Sequence, residues 1–320
     1  MTKQKVVIAL GGNAIQTGNG ATAEDQKNAC YQTAKQLAHI SKLGHDIVIT
    51  HGNGPQVGNI VLQQQLNQSE KLPAMPLDTC GAMSQGMIGY WLQNALYEVF
   101  QQEGINRTAA TTVTQVVVDQ NDPAFQHPTK PIGSFYDEAE AKELMEIKGY
   151  TMKEDAGRGY RRLVPSPKPL DIIEKDMIQS LVDHKFVVIA GGGGGIPVAK
   201  HEGKLIGVEA VIDKDLTTEK IAELIDADTL LILTAVEKIF LHFGSPQQQD
   251  LEQLTYEEAL TYKEQGHFAP GSMLPKVEAA LAFVDSNPGR KAIITSLDKA
   301  YDAVLGKAGT TILSKEACLS

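Results

Sequence analysis

The chain has 320 residues, 42% of them apolar and 21% charged, the balance of an ordinary globular enzyme with room for one large α/β unit or two lobes. A formal net charge of −10 argues against a nucleic-acid surface, and it requires any anionic substrate to be captured by local positive charge. The scattered cysteines Cys30, Cys80 and Cys318 suit a reducing cytosol better than a disulfide framework or a zinc site. No run approaches the roughly 18 apolar residues of a membrane span.

In chain order, Val6–Leu10 reads as a first strand, too short for a signal-peptide core, followed by Gly11-Gly12-Asn13-Ala14. Glu24–Lys42 sets Ala34, Leu37, Ala38 and Ile40 at helical spacing. Strand Asp46–Thr50 runs into His51-Gly52-Asn53-Gly54-Pro55-Gln56. A helix is expected over Thr79–Gln102, with Cys80, Met83 and Met87 as core, and a strand over Ala109–Val118. From 121 to 168 the chain turns rich in Pro, Gly and charge, with a single helical stretch at Asp137–Lys148, which predicts a small protruding subdomain. Strand Phe186–Ala190 precedes Gly191–Gly195; helix Leu216–Ile225 and strands Thr229–Thr234 and Lys291–Thr295 follow, with a weaker strand at Thr310–Leu313. Strands alternating with helices of this length predict right-handed crossovers and a parallel sheet covered on both faces.

Glycine after a strand is most often a tight turn. Three such loops at the carboxyl edge of one parallel sheet, however, are placed where open α/β sheets bind ligands, and glycine lets backbone N–H groups approach an anion. No GxxxxGK[ST] is present, so this is no P-loop enzyme. Gly52-Asn53-Gly54 follows the second strand, not the first, Gly18-Asn19-Gly20 lies beyond the end of strand one, and Thr50-His51 offers no acid for a ribose; a Rossmann dehydrogenase fits poorly.

Phosphoryl transfer needs positioned positive charge. Lys130 lies between Pro128 and Pro131; Lys214 lies between Asp213 and Asp215 before a helix; Lys276 follows Gly271–Pro275 near a helix start. For any one of them the plain reading is a solvated surface charge, as for Lys263. Asp215 could tether lysines, cap the helix or help bind metal. Arg158, Arg161 and Arg162 are three of only five arginines and suit either anions or structural pairing with nearby acids. No histidine pair has metal-ligand spacing, and His51 receives no catalytic role.

Ala9–Ala14 together with His51–Gly58 resembles the amino-acid kinase superfamily. Pro76–Cys80, Gly89–Leu92, Thr114–Asp119, Pro128–Gly133, Glu154–Gly159, Val164–Pro169, Gly207–Asp215 and His267–Lys276 narrow the resemblance to its carbamate kinase family, over about residues 6 to 296. The resemblance implies a three-layer α/β/α sandwich around a mainly parallel sheet, in two lobes with the small protruding subdomain. Residues 1–206 would hold carbamoyl phosphate or carbamate and residues 207–320 the nucleotide, ADP or ATP. It also implies a cytoplasmic homodimer and Mg2+ bound mainly through nucleotide phosphates, with no dedicated protein ligands. Gly11, Gly12, Asn13, Gly52, Asn53 and Gly54 would cradle the phosphoryl group; Lys130, Lys214 and Lys276 would neutralise it, with Asp215 organising the lysines. Thr234, Ala235, Val236, Met273 and Lys276 fall on the nucleotide side, where Ala235 stands in place of the family's usual glycine. The implied reaction exchanges a phosphoryl group between carbamoyl phosphate and ADP, in arginine or agmatine fermentation. The rivals are another kinase of the superfamily and a non-catalytic nucleotide sensor.

Overall fold

In the first strand Val6, Ile8 and Leu10 pack into one core cluster, while Val7 and Ala9 pack into another. Alternate side chains of a strand point to opposite faces, so a strand buried on both sides reads as a continuous apolar run. The computed structural model describes residues 2–16, 22–155 and 157–315; Cys318 and Gly18-Asn19-Gly20 lie outside them.

The principal sheet contains β1 (Lys5–Leu10), β2 (Asp46–His51), β3 (Ala109–Thr111), β4 (Val187–Ile189), β5 (Thr229–Thr234), β6 (Gln253–Leu254), β7 (Lys291–Ser296) and β8 (Thr310–Leu313). Its order is β6-β8-β7-β5-β1-β2-β4-β3. From β7 to β3 every pairing is parallel, and β8 returns antiparallel to β7. The helices are α1 (Ala23–Lys42), α2 (Gly54–Leu66), α3 (Leu77–Gln102), α4 (Glu138–Lys148), α5 (Lys175–Asp183), α6 (Lys214–Leu224), α7 (Tyr256–Glu264), α8 (Met273–Ser286) and α9 (Ala300–Val304). α1, α3 and α9 cover one face of the sheet; α5, α6, α7 and α8 cover the other. The expected three-layer α/β/α sandwich is the observed architecture. No described helix is long and apolar enough to cross a membrane.

Three expectations need correction. Ala109–Val118 is not one strand: Ala109–Thr111 belongs to the principal sheet, whereas Gln115–Val117 joins a separate four-stranded sheet. Between them the Gln85 side chain accepts from the Thr114 amide and donates to its carbonyl, each at 3.1 Å, so the ladder is interrupted from 29 residues away. The protruding segment is also more ordered than one helix. Lys130–Tyr136, Tyr160–Val164 and Thr151–Glu154 form a three-stranded antiparallel sheet beside α4, which begins at an Asp137–Glu140 capping box. Ile132 and Val164 seat this unit against Val57, Leu77 and Cys80 at the bases of α2 and α3. Met83, expected in the core, is 40% exposed.

Candidate active site

β1 and β5 lie side by side, but the chain continues from β1 towards β2 and from β5 towards β7. Such a switch in winding direction opens a crevice beyond the carboxyl ends of the strands. Gly11 is required there, because a Cβ on it would lie 2.7 Å from the Leu233 carbonyl oxygen. Gly12–Ala14 follow as a single 3-10 turn. Gly11, Gly12 and Asn13 line one side of a cleft of about 170 Å³, with Lys214, Thr234, Ala235 and Lys276 on the others.

Lys214 and Lys276 come together on Asp215. Lys214 Nζ donates to Oδ1 at 2.6 Å and Lys276 Nζ to Oδ2 at 3.0 Å. The Asp215 carboxylate is only 3% exposed. Burial alone would raise its pKa, but the two ammonium groups outweigh burial and hold it down at about 2. Burial pushes Lys214 below the ordinary lysine value, opposed chiefly by Asp215. One carboxylate thus balances two ammoniums, leaving a surplus positive charge in the cleft. Each ammonium has three donors, so among the described residues Lys214 keeps two unspent and Lys276, which also bonds the Ser272 carbonyl at 3.2 Å, keeps one.

Lys130 is held elsewhere. Its Nζ bonds Asp213 Oδ2 at 2.7 Å, while Asp213 Oδ1 accepts the Asp215 amide at 2.9 Å and caps α6. Asp215 therefore organises two of the three lysines, and the helix cap is Asp213, a residue that sequence reasoning passed over. The available signal was the Asp-Lys-Asp run before a helix, in which the first acid is the N-cap.

Gly52 sits against the stem of Lys214, where a Cβ would meet Cδ at 3.5 Å, so the second loop reaches the cleft beside that lysine. Asn53 is buried, its amide donating to Ser84 Oγ at 2.8 Å, and Gly54 opens α2. The third loop behaves differently. Gly191–Gly195 is wholly buried, and Gly194, at φ +87°, leaves no room for a side chain because a Cβ would lie 2.1 Å from the Ile212 carbonyl oxygen. It is a packing knot, not a cradle open to the cleft. His51 is sealed beside it; burial pushes its pKa down to about 4, so it is neutral near pH 7.

A second cavity of about 260 Å³ adjoins the cleft, sharing Thr234, Ala235 and Lys276 with it and adding Val236, Met273 and the rings of Phe240, Phe243 and Phe268. Every residue expected on the nucleotide side thus lines one cavity, and so does Phe243, whose loop the resemblance also put on that side; Phe240 and Phe268 were missed because they come from separate segments with no shared motif. Apolar walls beside a cationic cleft suit a flat base joined to phosphates. Each arginine of the cluster is ion-paired: Arg158 and Arg161 pair with Asp155 at 3.0 and 3.6 Å, and Arg162 pairs with Glu209 at 3.4 Å over the Tyr150 ring.

One turn beyond Asp215 on α6, Glu219 is buried, and burial pushes its carboxyl from 4.5 up to about 7 against the opposing pull of Lys220. The folded chain therefore holds a proton between those values that the unfolded chain has released, so stability falls as pH rises through that window. Glu219→Gln, which cannot ionise, should raise Tm at pH 8 and leave it near the wild-type value at pH 5. An equal shift at both pH values in thermal denaturation would refute this.

Residues 4–296 match the model of the amino acid kinase family. Carbamate kinase 1 of Enterococcus faecium is 57% identical over 92% of this chain and 94% of its own. The carbamate kinase of Latilactobacillus sakei is 53% identical over 98% and 99%. Among solved structures, the carbamate kinase of Giardia lamblia bound to AMP-PNP superposes with a TM-score of 0.91 at 44% identity, covering 98% of this chain and 99% of its own. Identity of this level along nearly the whole chain, on the same fold, means that the protein belongs to the carbamate kinases within the amino-acid kinase family.

Proposed function

We propose that this chain catalyses the reversible transfer of a phosphoryl group from carbamoyl phosphate to ADP, giving ATP and carbamate, which breaks down to ammonia and CO2. The observation that carries the reading is the Lys214–Asp215–Lys276 cluster at the strand-switch crevice, facing Gly11-Gly12-Asn13 and continuous with an apolar cavity. The Giardia relative was solved with AMP-PNP, which supports a nucleoside polyphosphate in these joined cavities.

In this reading residues 207–320 hold the nucleotide, with the base against Val236 and Met273, and residues 1–206 hold carbamoyl phosphate. The amides of Gly11, Gly12, Asn13, Gly52, Asn53 and Gly54 meet the phosphoryl oxygens. A β-phosphate oxygen of ADP forms a bond to phosphorus as the carbamoyl oxygen–phosphorus bond breaks, and the electron pair leaves on carbamate. Carbamate leaves as an anion and needs no proton, and the attacking ADP oxygen is already ionised, so neither a catalytic acid nor a catalytic base is required; the neutral, sealed His51 is consistent with that. Lys214 and Lys276 stabilise the charge shared among the oxygens in flight, and Lys130 adds capture from the protruding sheet.

Magnesium fits only as a passenger on the nucleotide. Both carboxylates beside the cleft, Asp213 and Asp215, are already bonded to lysines, while ammonium and amide donors suit phosphate oxygens. Bound through the nucleotide phosphates, the ion supplies further charge neutralisation.

We place the enzyme in the cytoplasm, in the breakdown of arginine or agmatine, as a homodimer. Met83, Tyr90 and Tyr97 recur every seven residues of α3 and are 40%, 55% and 68% exposed, an apolar stripe along one helix face that a second copy could cover. Tyr90→Glu with Tyr97→Glu should convert a dimer to monomer in sedimentation; an unchanged mass would remove this face from the interface.

The substrate assignment is tested by ADP release from MgATP with carbamate, glutamate, aspartate or UMP as acceptor. Turnover confined to carbamate supports it; a preference for an amino-acid carboxylate would transfer the chain to another kinase activity.

A further inference from the structure

The largest cavity among those described, about 590 Å³, lies outside the phosphoryl cleft, between the protruding sheet and the loop leading into α8. On the sheet side Lys153 stands directly opposite Arg161 in the antiparallel pairing, and both line the cavity. Like charges at opposed positions of a sheet repel each other and destabilise the pair.

Four carboxylates also line this cavity, and each is already engaged. Glu154 accepts the Gly157 amide, Asp155 binds Arg158 and Arg161, Asp213 binds Lys130 at 2.7 Å, and Glu278 binds Lys263 at 3.0 Å. Among the described residues Lys153 has neither hydrogen bond nor ion pair, and Arg161 Nε is buried without a partner. The unspent polar groups on the sheet side are therefore the Lys153 ammonium and Arg161 Nε, although the four carboxylates of the lining outnumber its three cations and Glu154 has no cationic partner among the described residues. Lys130 shares the cavity, and its partner Asp213 is joined in sequence to Lys214 of the cleft.

We infer that Lys153 and Arg161 form a capture site for the dianionic acyl phosphate, from which it passes to Lys130 and the cleft. The inference rests on the function proposed above and adds two residues to it. A chain of net charge −10 repels an anionic substrate over most of its surface, and the unspent donors of Lys153 and Arg161 on one side of the recess offset that repulsion locally. The nucleotide has its own apolar cavity, so the site acts on one substrate only.

Lys153 is exposed and unbonded, so Lys153→Glu should fold normally. It should lower kcat/KM for carbamoyl phosphate about tenfold at low salt, leave kcat and KM for ADP unchanged, and lose its effect as salt screens the charge. An unaltered kcat/KM for carbamoyl phosphate at low salt overturns the proposal. A second measurement is independent of turnover: trinitrobenzenesulfonate labelling of Lys153, read by peptide mapping, with and without inorganic phosphate. Protection of Lys153 supports the anion site, and labelling indifferent to phosphate overturns it. Absence of turnover in the wild-type chain would instead remove the functional reading and leave the labelling to decide the site.

Discussion

Lys214→Met and Lys276→Met each lower kcat by about 10²–10³-fold, the usual effect of removing one preorganised charge contact from a water-poor site, while the chain remains folded. Methionine keeps the length of the apolar stem; what is removed is the ammonium. These two lysines lie on either side of one buried carboxylate and present their remaining donors to the cleft. Lys130→Met should also raise KM for carbamoyl phosphate, because Lys130 belongs to the protruding sheet and is bonded to Asp213 instead. Lys71, exposed on the surface, is the control. Lys263 is not the idle surface charge expected of it, since it bonds Glu278 at 3.0 Å. Steady-state kinetics at matched Tm separate the outcomes: near-native kcat in both methionine variants would contradict a lysine-based mechanism.

Asp215→Asn should be at least as damaging, for a different reason. The carboxylate is the single anion between two largely buried ammoniums, and stripping one partner from such a group leaves uncompensated charge, typically at a cost of about 3–5 kcal/mol. Tm should fall, and the pH profile should change with it. Lys214 already lies below the ordinary lysine value through burial, and Asp215 is the principal group holding it up. Without Asp215 its pKa drops further, so the ammonium is lost at lower pH and the alkaline limb of kcat moves towards neutrality. An unmoved limb would show that Asp215 does not sustain the Lys214 charge. At the acid end the sign reverses. In the wild type Asp215 titrates at about 2 when folded against an ordinary 3.8. It therefore stabilises the fold fully above 3.8, and that contribution fades as pH falls towards 2; the asparagine variant lacks this acid-dependent loss.

Much of the framework was legible because burial on both faces writes strands as plain apolar runs: Val6–Leu10, Asp46–Thr50 and Thr229–Thr234 are found within a residue of their ends. Lys214 and Lys276 stood out by position beside helix starts, and they meet in the cleft. What escaped was decided by distant contacts. The break in Ala109–Val118 depends on Gln85, and the arrangement of Gly191–Gly195 depends on Ile212 and His51; a buried glycine knot and an anion cradle look alike in sequence. The strands of the protruding segment carry arginines and prolines on short, partly exposed stretches, which blur the alternation that marks a half-buried strand. Phe240 and Phe268 meet Met273 only through the fold.

Mixing the purified chain with carbamoyl phosphate and MgADP and measuring ATP decides the reaction. ATP should form in proportion to enzyme concentration, depend on both substrates and be greatly reduced in Lys276→Met. ATP no higher than the enzyme-free background, from a chain shown to be folded, would contradict the proposed reaction.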